Sequence, residues 1–232
     1  HSHVIWGVDD GAKTEEQTYR LLEEAIKDGI GAIVTTPHIT PGILPFPRER
    51  YERNLETARR YIREQGIPLE LYSGSEVFYT EHTVRFLRES RIPTLAESEY
   101  VLVEFNPGSS AEHISRAIHE IAAAGFRPVI AHIERYRSIR QERQVVKLRE
   151  ESYALFQVNS STLLTRQPFL RRCYLDSLFR GGLVDLIATD VHALPGRESN
   201  LTPGLLKLKE RYGSDQYERI VSNAEKIIAK QP

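Results

Sequence analysis

Short apolar runs rich in β-branched and aromatic residues alternate along this chain with longer segments of helical periodicity, and that alternation limits the possible folds most strongly. The runs at 32–36, 69–73, 100–105, 128–132, 154–159 and 184–189 are nearly continuous in apolar character, as strands buried on both faces require. A stub at 1–4 reads as the end of a seventh strand. Helical patterns fall at 14–28, 48–65, 80–90, 111–124, 139–152, 168–180, 202–212 and 214–229. The first opens on Thr14-Glu15-Glu16-Gln17, a capping-box pattern, carries Leu21, Leu22, Ala25 and Ile26 as its apolar stripe, and stops at Gly29. Parallel strands joined through helices form either a sheet covered on both faces or a closed barrel, and seven units favour the barrel. The expectation is therefore an α/β fold, a TIM-barrel-like (β/α)7 barrel. No repeat, low-complexity tract or linker divides the 232 residues, so one domain is expected over 1–232.

Charge and hydropathy narrow the function. With 31 Lys+Arg against 32 Asp+Glu, the net charge of -1 provides no global field to hold a polyanion, and no nucleic-acid partner is expected. The longest apolar runs, such as Val101-Leu102-Val103 and 183–188, fall far short of the roughly 20 residues that span a bilayer, so no transmembrane segment is expected. The chain does not open with a signal-peptide pattern, and Cys173 has no second cysteine to pair with, which together predict a cytoplasmic location. A Met-free chain that opens on His1 implies that residues before it have been lost.

The chemistry-bearing residues recur at one place in the pattern. Almost every apolar run ends, at its carboxyl side, in a His, Asp or Glu: His1-Ser2-His3, Thr36-Pro37-His38, Gly74-Ser75-Glu76, Val103-Glu104-Phe105, Ala131-His132-Ile133 and Thr189-Asp190-Val191-His192. That is where barrel enzymes place their active sites. An imidazole or carboxylate directly after a buried strand is costly to desolvate unless it is paired or bound to a metal. Side chains repeat every two residues along an extended chain, so His1 and His3 share a side, as do Asp190 and His192. Together with His38, Glu76, Glu104 and His132 they supply more N and O donors than one ion needs, which points to a cluster of two or three divalent metals. A donor set of imidazole and carboxylate without thiolate suits Mn, Fe or Zn, among which spacing does not choose.

In their order, HxH, TTPH, GSE, VEF, AHIERY and ATDVH resemble the polymerase-and-histidinol-phosphatase (PHP) superfamily. More narrowly, HSHVIWGVDDGAKT, TTPH, VEF, AHIERYR and DVHALPGR resemble the CpsB/YwqE-type bacterial tyrosine-protein phosphatases of capsule and exopolysaccharide regulation, over nearly the whole chain. The resemblance implies a distorted (β/α)7 barrel of the PHP type, in agreement with the strand count. It implies one metal held by His1, His3, Glu76 and Asp190, and a second held by Glu76, Glu104 and His132. A third would use His38, His192 and a carboxylate of Asp9 or Asp10, between which the sequence does not choose. Asp-Gly also favours a turn, which by itself would explain Asp9-Asp10-Gly11. Arg135 and Arg197 match the family's phosphate-binding arginines, a guanidinium being suited to hold two phosphoryl oxygens. The activity implied is metal-dependent hydrolysis of phosphotyrosine, Mn being the expected metal. The partner implied is the tyrosine-rich C-terminal tail of a bacterial tyrosine autokinase that controls polysaccharide export. The oligomeric state is left open.

Other chemistries fit less well. Cysteine-dependent tyrosine phosphatases use Cys-x5-Arg, whereas Cys173 and Arg180 have six residues between them within a helical pattern, so Cys173 is expected to be a buried structural thiol. There is no Gly-rich phosphate loop and no Ser nucleophile elbow. A histidinol-phosphate phosphatase would keep the metal site but lack the VDDG and HIER context, and a non-catalytic kinase-binding module would be expected to lose ligands. Arg137, Arg140 and Arg143 suit a solvated helix face or an anion-steering patch, and Asn159-Ser160-Ser161 is placed to shape the pocket.

Overall fold

The computed structural model describes residues 1–192 and 199–229. The helices begin and end where local chemistry directs. In α1 (Glu15–Lys27) the Thr14 hydroxyl accepts from the Gln17 amide at 3.3 Å, and Gln17 Oε1 reaches back to the Lys13 amide at 2.7 Å. Thr18, Leu21, Leu22 and Ala25 are its buried face, and Gly29, at φ +79°, turns the chain out of the helix. The expected stripe is thus present, with Ile26 half-buried beside it.

Among the described residues eight short strands follow as β1 (Ala32–Val34), β2 (His38–Ile39), β3 (Glu70–Tyr72), β4 (Glu76–Phe78), β5 (Tyr100–Glu104), β6 (Arg127–Ile130), β7 (Leu155–Asn159) and β8 (Leu186–Ala188). All pair in parallel: β1 with β3, and β2-β4-β5-β6-β7-β8 in that order. The run expected at 32–36 is interrupted by Pro37, which has no amide hydrogen to continue the ladder, and resumes as β2. Its neighbour breaks at Gly74-Ser75 and resumes as β4, which the sequence reading did not anticipate. Each pair, β1 with β2 and β3 with β4, makes one stave. Ser2 closes the ring with parallel bridges to Thr35 on one side and Val191 on the other. With the stub around Ser2, seven staves complete the distorted barrel.

The remaining helices are α2 (Arg48–Glu64), α3 (Thr83–Arg88), α4 (Ala111–Ala123), α5 (Glu142–Ser152), α6 (Ser160–Leu164), α7 (Phe169–Arg180), α8 (Leu201–Tyr212) and α9 (Ser214–Ile228). The helix expected at 80–90 contracts to α3, and the one expected at 139–152 shortens to α5, preceded by single turns at Ile133–Arg135 and Arg137–Ile139. Along β5 the period of two sorts the core. Val101 and Val103 pack with Ile114, Ile118 and Ile121 of α4, whereas Leu102 packs with Val129, Ala131 and Leu186. Each such side chain, fully buried, contributes about 1.5–3 kcal/mol, so this two-sided burial commits the strands to a covered barrel. Below His1 and Gln157 lies a cavity of about 480 Å³, lined by apolar groups including Val34, Leu102, Val129, Leu186 and Ile227. Among the described residues no helix is long and apolar enough to cross a membrane. Cys173 lies exposed on α7 rather than buried as expected, because the helix turns its neighbours Tyr174 and Leu175 to the core instead.

Candidate metal centre

The chain ends the staves at one face, and there the polar residues converge. His1 and His3 flank Ser2, which faces away and donates to Val34 O at 3.3 Å. Backbone bonds from His3 N to Val191 O at 2.7 Å and from Asp190 N to His1 O at 3.1 Å clamp the histidine pair against the Asp190 turn. The resumed strands place His38 opposite Glu76 in register. Glu104 ends β5, and His132 follows β6 in a left-handed conformation, φ 32°. Asp190, after β8, is also left-handed at φ 52°. Backbone strain of this kind costs on the order of 1–3 kcal/mol per residue and clusters at functional sites.

Glu76 is the hub. Its Oε2 lies 3.2 Å from His1 Nε2, 3.3 Å from His3 Nε2 and 3.2 Å from His38 Nδ1. Its Oε1 lies 2.9 Å from His132 Nε2. Glu104 stands beside it, Oε1 3.2 Å from His38 Nδ1 and Oε2 3.6 Å from His132 Nε2. Asp190 Oδ1 is 3.4 Å from His1 Nε2, 3.7 Å from His3 Nε2 and 3.5 Å from His192 Nδ1. Among the described residues, three groups bring their donor atoms within 4.8 Å of one another: His1, His3, Glu76 and Asp190; His38, Glu76 and Glu104; and His3, Asp10, His38 and His192. Beside His132, which was expected with Glu76 and Glu104, the structure also turns His38 Nδ1 towards the two glutamates and leaves its Nε2 3.5 Å from Asp10.

The structure also separates Asp9 from Asp10. Asp9 lies behind His3, accepting from its Nδ1 at 2.6 Å, from the His38 amide at 3.0 Å and from the Gly11 amide at 2.9 Å. Asp10 points outward, its Oδ1 3.5 Å from His38 Nε2 and 3.4 Å from His192 Nε2. The reason for glycine at 11 is a close approach: a Cβ there would stand 2.0 Å from His3 O, so no other residue lets this turn lie against the histidine.

The donor set fits divalent metal. With its Nδ1–H donated to Asp9, a neutral His3 has its Nε2 lone pair facing His1 Nε2 at 3.3 Å and two carboxylate oxygens. Ligand atoms about 2.1 Å from a shared ion stand roughly 3.0–3.4 Å apart, close to this spacing. Buried carboxylates crowded against lone pairs require a cation among them. In the bare protein, protons take that part. Burial opposes charge on His3, but the Asp9 and Glu76 carboxylates outweigh it and raise its pKa to about 10. For His132, Glu104 and Glu76 likewise overcome burial and raise it to about 9. His38 is raised, against burial, chiefly by Glu104. Burial pushes the other way on the carboxylates, yet the imidazoles hold Glu76 well below the usual range and Glu104 below it, while His1 and Arg135 lower Asp190. For Asp9, the His3 contact overcomes burial and lowers it to about 2.

Arg135 Nη2 donates to Asp190 Oδ2 at 2.6 Å, with the side chain 38% exposed at the mouth of the site. Arg197 lies outside the described residues. Arg137, Arg140 and Arg143 are exposed. Two buried residues that the sequence reading passed over belong to the same surroundings. Gln157 Oε1 meets His1 Nδ1 at 2.9 Å, and Glu134 Oε1 accepts from the Asn159 amide at 3.1 Å and from Thr162 Oγ1 at 3.0 Å. Asn159, expected only to shape the pocket, donates from Nδ2 to Asp190 Oδ2 at 2.8 Å. The available signal was the polar pair at 157 and 159, two residues apart in an otherwise apolar strand.

A family model described as capsular polysaccharide synthesis, CpsB/CapC, matches residues 1–229. The tyrosine-protein phosphatase CpsB of Streptococcus pneumoniae is 31% identical over 238 residues, covering 100% of this chain and 98% of that protein. The tyrosine-protein phosphatase YwqE of Bacillus subtilis strain 168 is 24% identical over 231 residues, covering 100% and 91%. A solved structure from work on Bacillus subtilis YwqE and Streptococcus pneumoniae CpsB, described as unique metal-dependent tyrosine phosphatases, superposes with a TM-score of 0.89 at 24% identity, covering 100% of this chain and 94% of that one.

Proposed function

The chain belongs to the capsular polysaccharide synthesis CpsB/CapC family, and we propose that it is a metal-dependent protein-tyrosine phosphatase acting in capsule or exopolysaccharide synthesis. The observation that carries this reading is the pair of imidazole Nε2 atoms 3.3 Å apart, aimed with Glu76 and Asp190 at a common point. His1, His3, Glu76 and Asp190 would hold one ion; Glu76, Glu104 and His132, with His38 beside them, a second; Asp10, His38 and His192 a third. Asp9 serves as the carboxylate that orients His3 rather than as a ligand. The N and O donors suit Mn, with Fe or Zn as alternatives. Bound there, such ions supply an activated water and neutralise phosphoryl oxygens.

The chain's own residues do the rest. Arg135, fastened to Asp190 by one nitrogen, presents its accessible remainder to a phosphoryl group at the mouth, and Arg197 is placed by sequence to join it. Glu76 and Glu104, kept ionised, provide the charge that draws cations into a buried site. Tyrosine is a leaving group with a pKa of about 10, which needs less acid assistance than an alkoxide. The substrate proposed is the phosphotyrosine-bearing C-terminal tail of a bacterial tyrosine autokinase, met in the cytoplasm. The test is phosphate release from a phosphotyrosyl peptide, with histidinol phosphate in parallel, after loading with Mn and again after chelation. Release favouring the peptide and abolished by chelator is the expected result. Preference for histidinol phosphate, or release that survives chelation, overturns the reading.

A further inference from the structure

Behind the candidate ligands runs a chain of hydrogen bonds whose direction is dictated by one end. Asp190 Oδ2 accepts from Arg135 Nη2 at 2.6 Å and from Asn159 Nδ2 at 2.8 Å. A carboxylate only accepts, so Asn159 must present its NH2 group to Asp190 and its carbonyl to the other side. There Gln157 Nε2 donates to Asn159 Oδ1 at 3.0 Å, which obliges Gln157 to turn its own carbonyl to His1 Nδ1, 2.9 Å away. His1 must then carry its proton on Nδ1, leaving the Nε2 lone pair directed at the cluster. Both amides are buried, 2% exposed for Gln157 and 4% for Asn159, so water does not substitute for either partner. Their spacing, two residues apart on β7, puts both on the barrel's inner side. The backbone of Asn159 is in turn held by Glu134.

We infer that Gln157 and Asn159 are positioning residues of the metal centre: they fix His1 in the tautomer whose Nε2 faces the ion, and hold Asp190 with Oδ1 turned the same way. The inference rests on the metal-centre reading given above. His3 obtains the same result from a carboxylate, Asp9, so the two histidines are oriented by acceptors of different charge. Partners of this kind are worth about 10–100-fold in metal affinity.

The experiment measures zinc and manganese dissociation constants by chelator competition in the full chain, together with long-range 1H–15N spectra of the histidines in the zinc-loaded protein. Gln157→Leu, which keeps the volume and removes the acceptor, is expected to weaken binding about 10–100-fold and to release the His1 Nδ1 proton into fast exchange. Gln157→Glu restores an acceptor for His1 and is expected to recover part of that loss. Asn159→Asp, nearly isosteric, removes the donor to Asp190 and is expected to weaken binding at least about tenfold, which keeps the test open if the Leu variant fails to fold. Affinity in Gln157→Leu or Asn159→Asp within twofold of wild type, or a Glu variant no better than the Leu variant, overturns the inference. A wild-type chain that takes up neither metal overturns the metal-centre reading itself and this inference with it, an outcome distinct from a wild type that binds and variants that do not differ.

Discussion

The two ends of the barrel bore are built on opposite principles. At the carboxyl end the side chains are polar and directional, and the central ones are held by specific partners: His3 by Asp9, His1 by Gln157, and Asp190 by Asn159 and Arg135. A few ångströms below, the bore is an apolar cavity of about 480 Å³, in which Leu102, Val129 and Leu186 offer only shape and area. The contrast shows where this fold tolerates change. Apolar packing adapts to volume, whereas a buried polar cluster fails when one donor or acceptor is removed, because its partner is left desolvated and unpaired.

The largest effect that separates the two ends is expected from Glu76→Gln. It removes a carboxylate that approaches four imidazoles, and turnover should fall by on the order of 10³-fold or more, with loss of bound metal. Metal analysis alongside phosphate release checks this; near-normal metal content would break the view of Glu76 as the hub. Arg135→Ala comes next, with turnover lowered about 10²-fold and metal affinity changed far less. An equal loss of metal would make Arg135 a strut for Asp190 instead of a phosphoryl contact.

A third expectation concerns protons. His3, raised to about 10, and His132, raised to about 9, are both protonated at pH 7 in the bare protein, so metal uptake must displace their protons. Affinity should rise by up to about tenfold per pH unit for each proton released. Titration calorimetry in buffers of different ionisation heat counts those protons, and a count of zero would sink the protonated state of His3 and His132 in the bare protein. The sign for stability follows from the same shifts. Both pKa values exceed the ordinary 6.5, so the bare protein's stabilisation from these groups is complete below that pH and is lost as pH rises through about 9 to 10. The metal-loaded protein should not show that loss. Smallest of all is Gly31→Ala at the apolar end, where a Cβ meets nothing within 4 Å. A gain of about 0.4–1 kcal/mol in stability, read from thermal melts, with unchanged metal binding, is expected.

Much of this architecture was legible beforehand. Apolar runs alternating with helices, read with the requirement that parallel strands be covered, led to the barrel, and a His, Asp or Glu after almost every run pointed to the candidate site. The splitting of the second and third staves was not legible, because Pro37 and Gly74 interrupt pairing only once two neighbouring strands bend together. The polar pair Gln157 and Asn159 marked a shared side of the strand but not its purpose; only the barrel, which carries β7 up to residue 1, gives Gln157 a partner 156 positions away. The exposure of Cys173 depended in the same way on how α7 is rotated against the core.

The sequence by itself determined the kinds of donor atom and the strand ends that carry them, because periodicity and desolvation cost are local properties. The tertiary structure alone decided which donors come together, which of two adjacent aspartates lies behind His3, and which nitrogen of His1 and of His3 faces an acceptor. Those choices depend on hydrogen bonds between residues far apart in the chain, whose directions exist only once the barrel has closed.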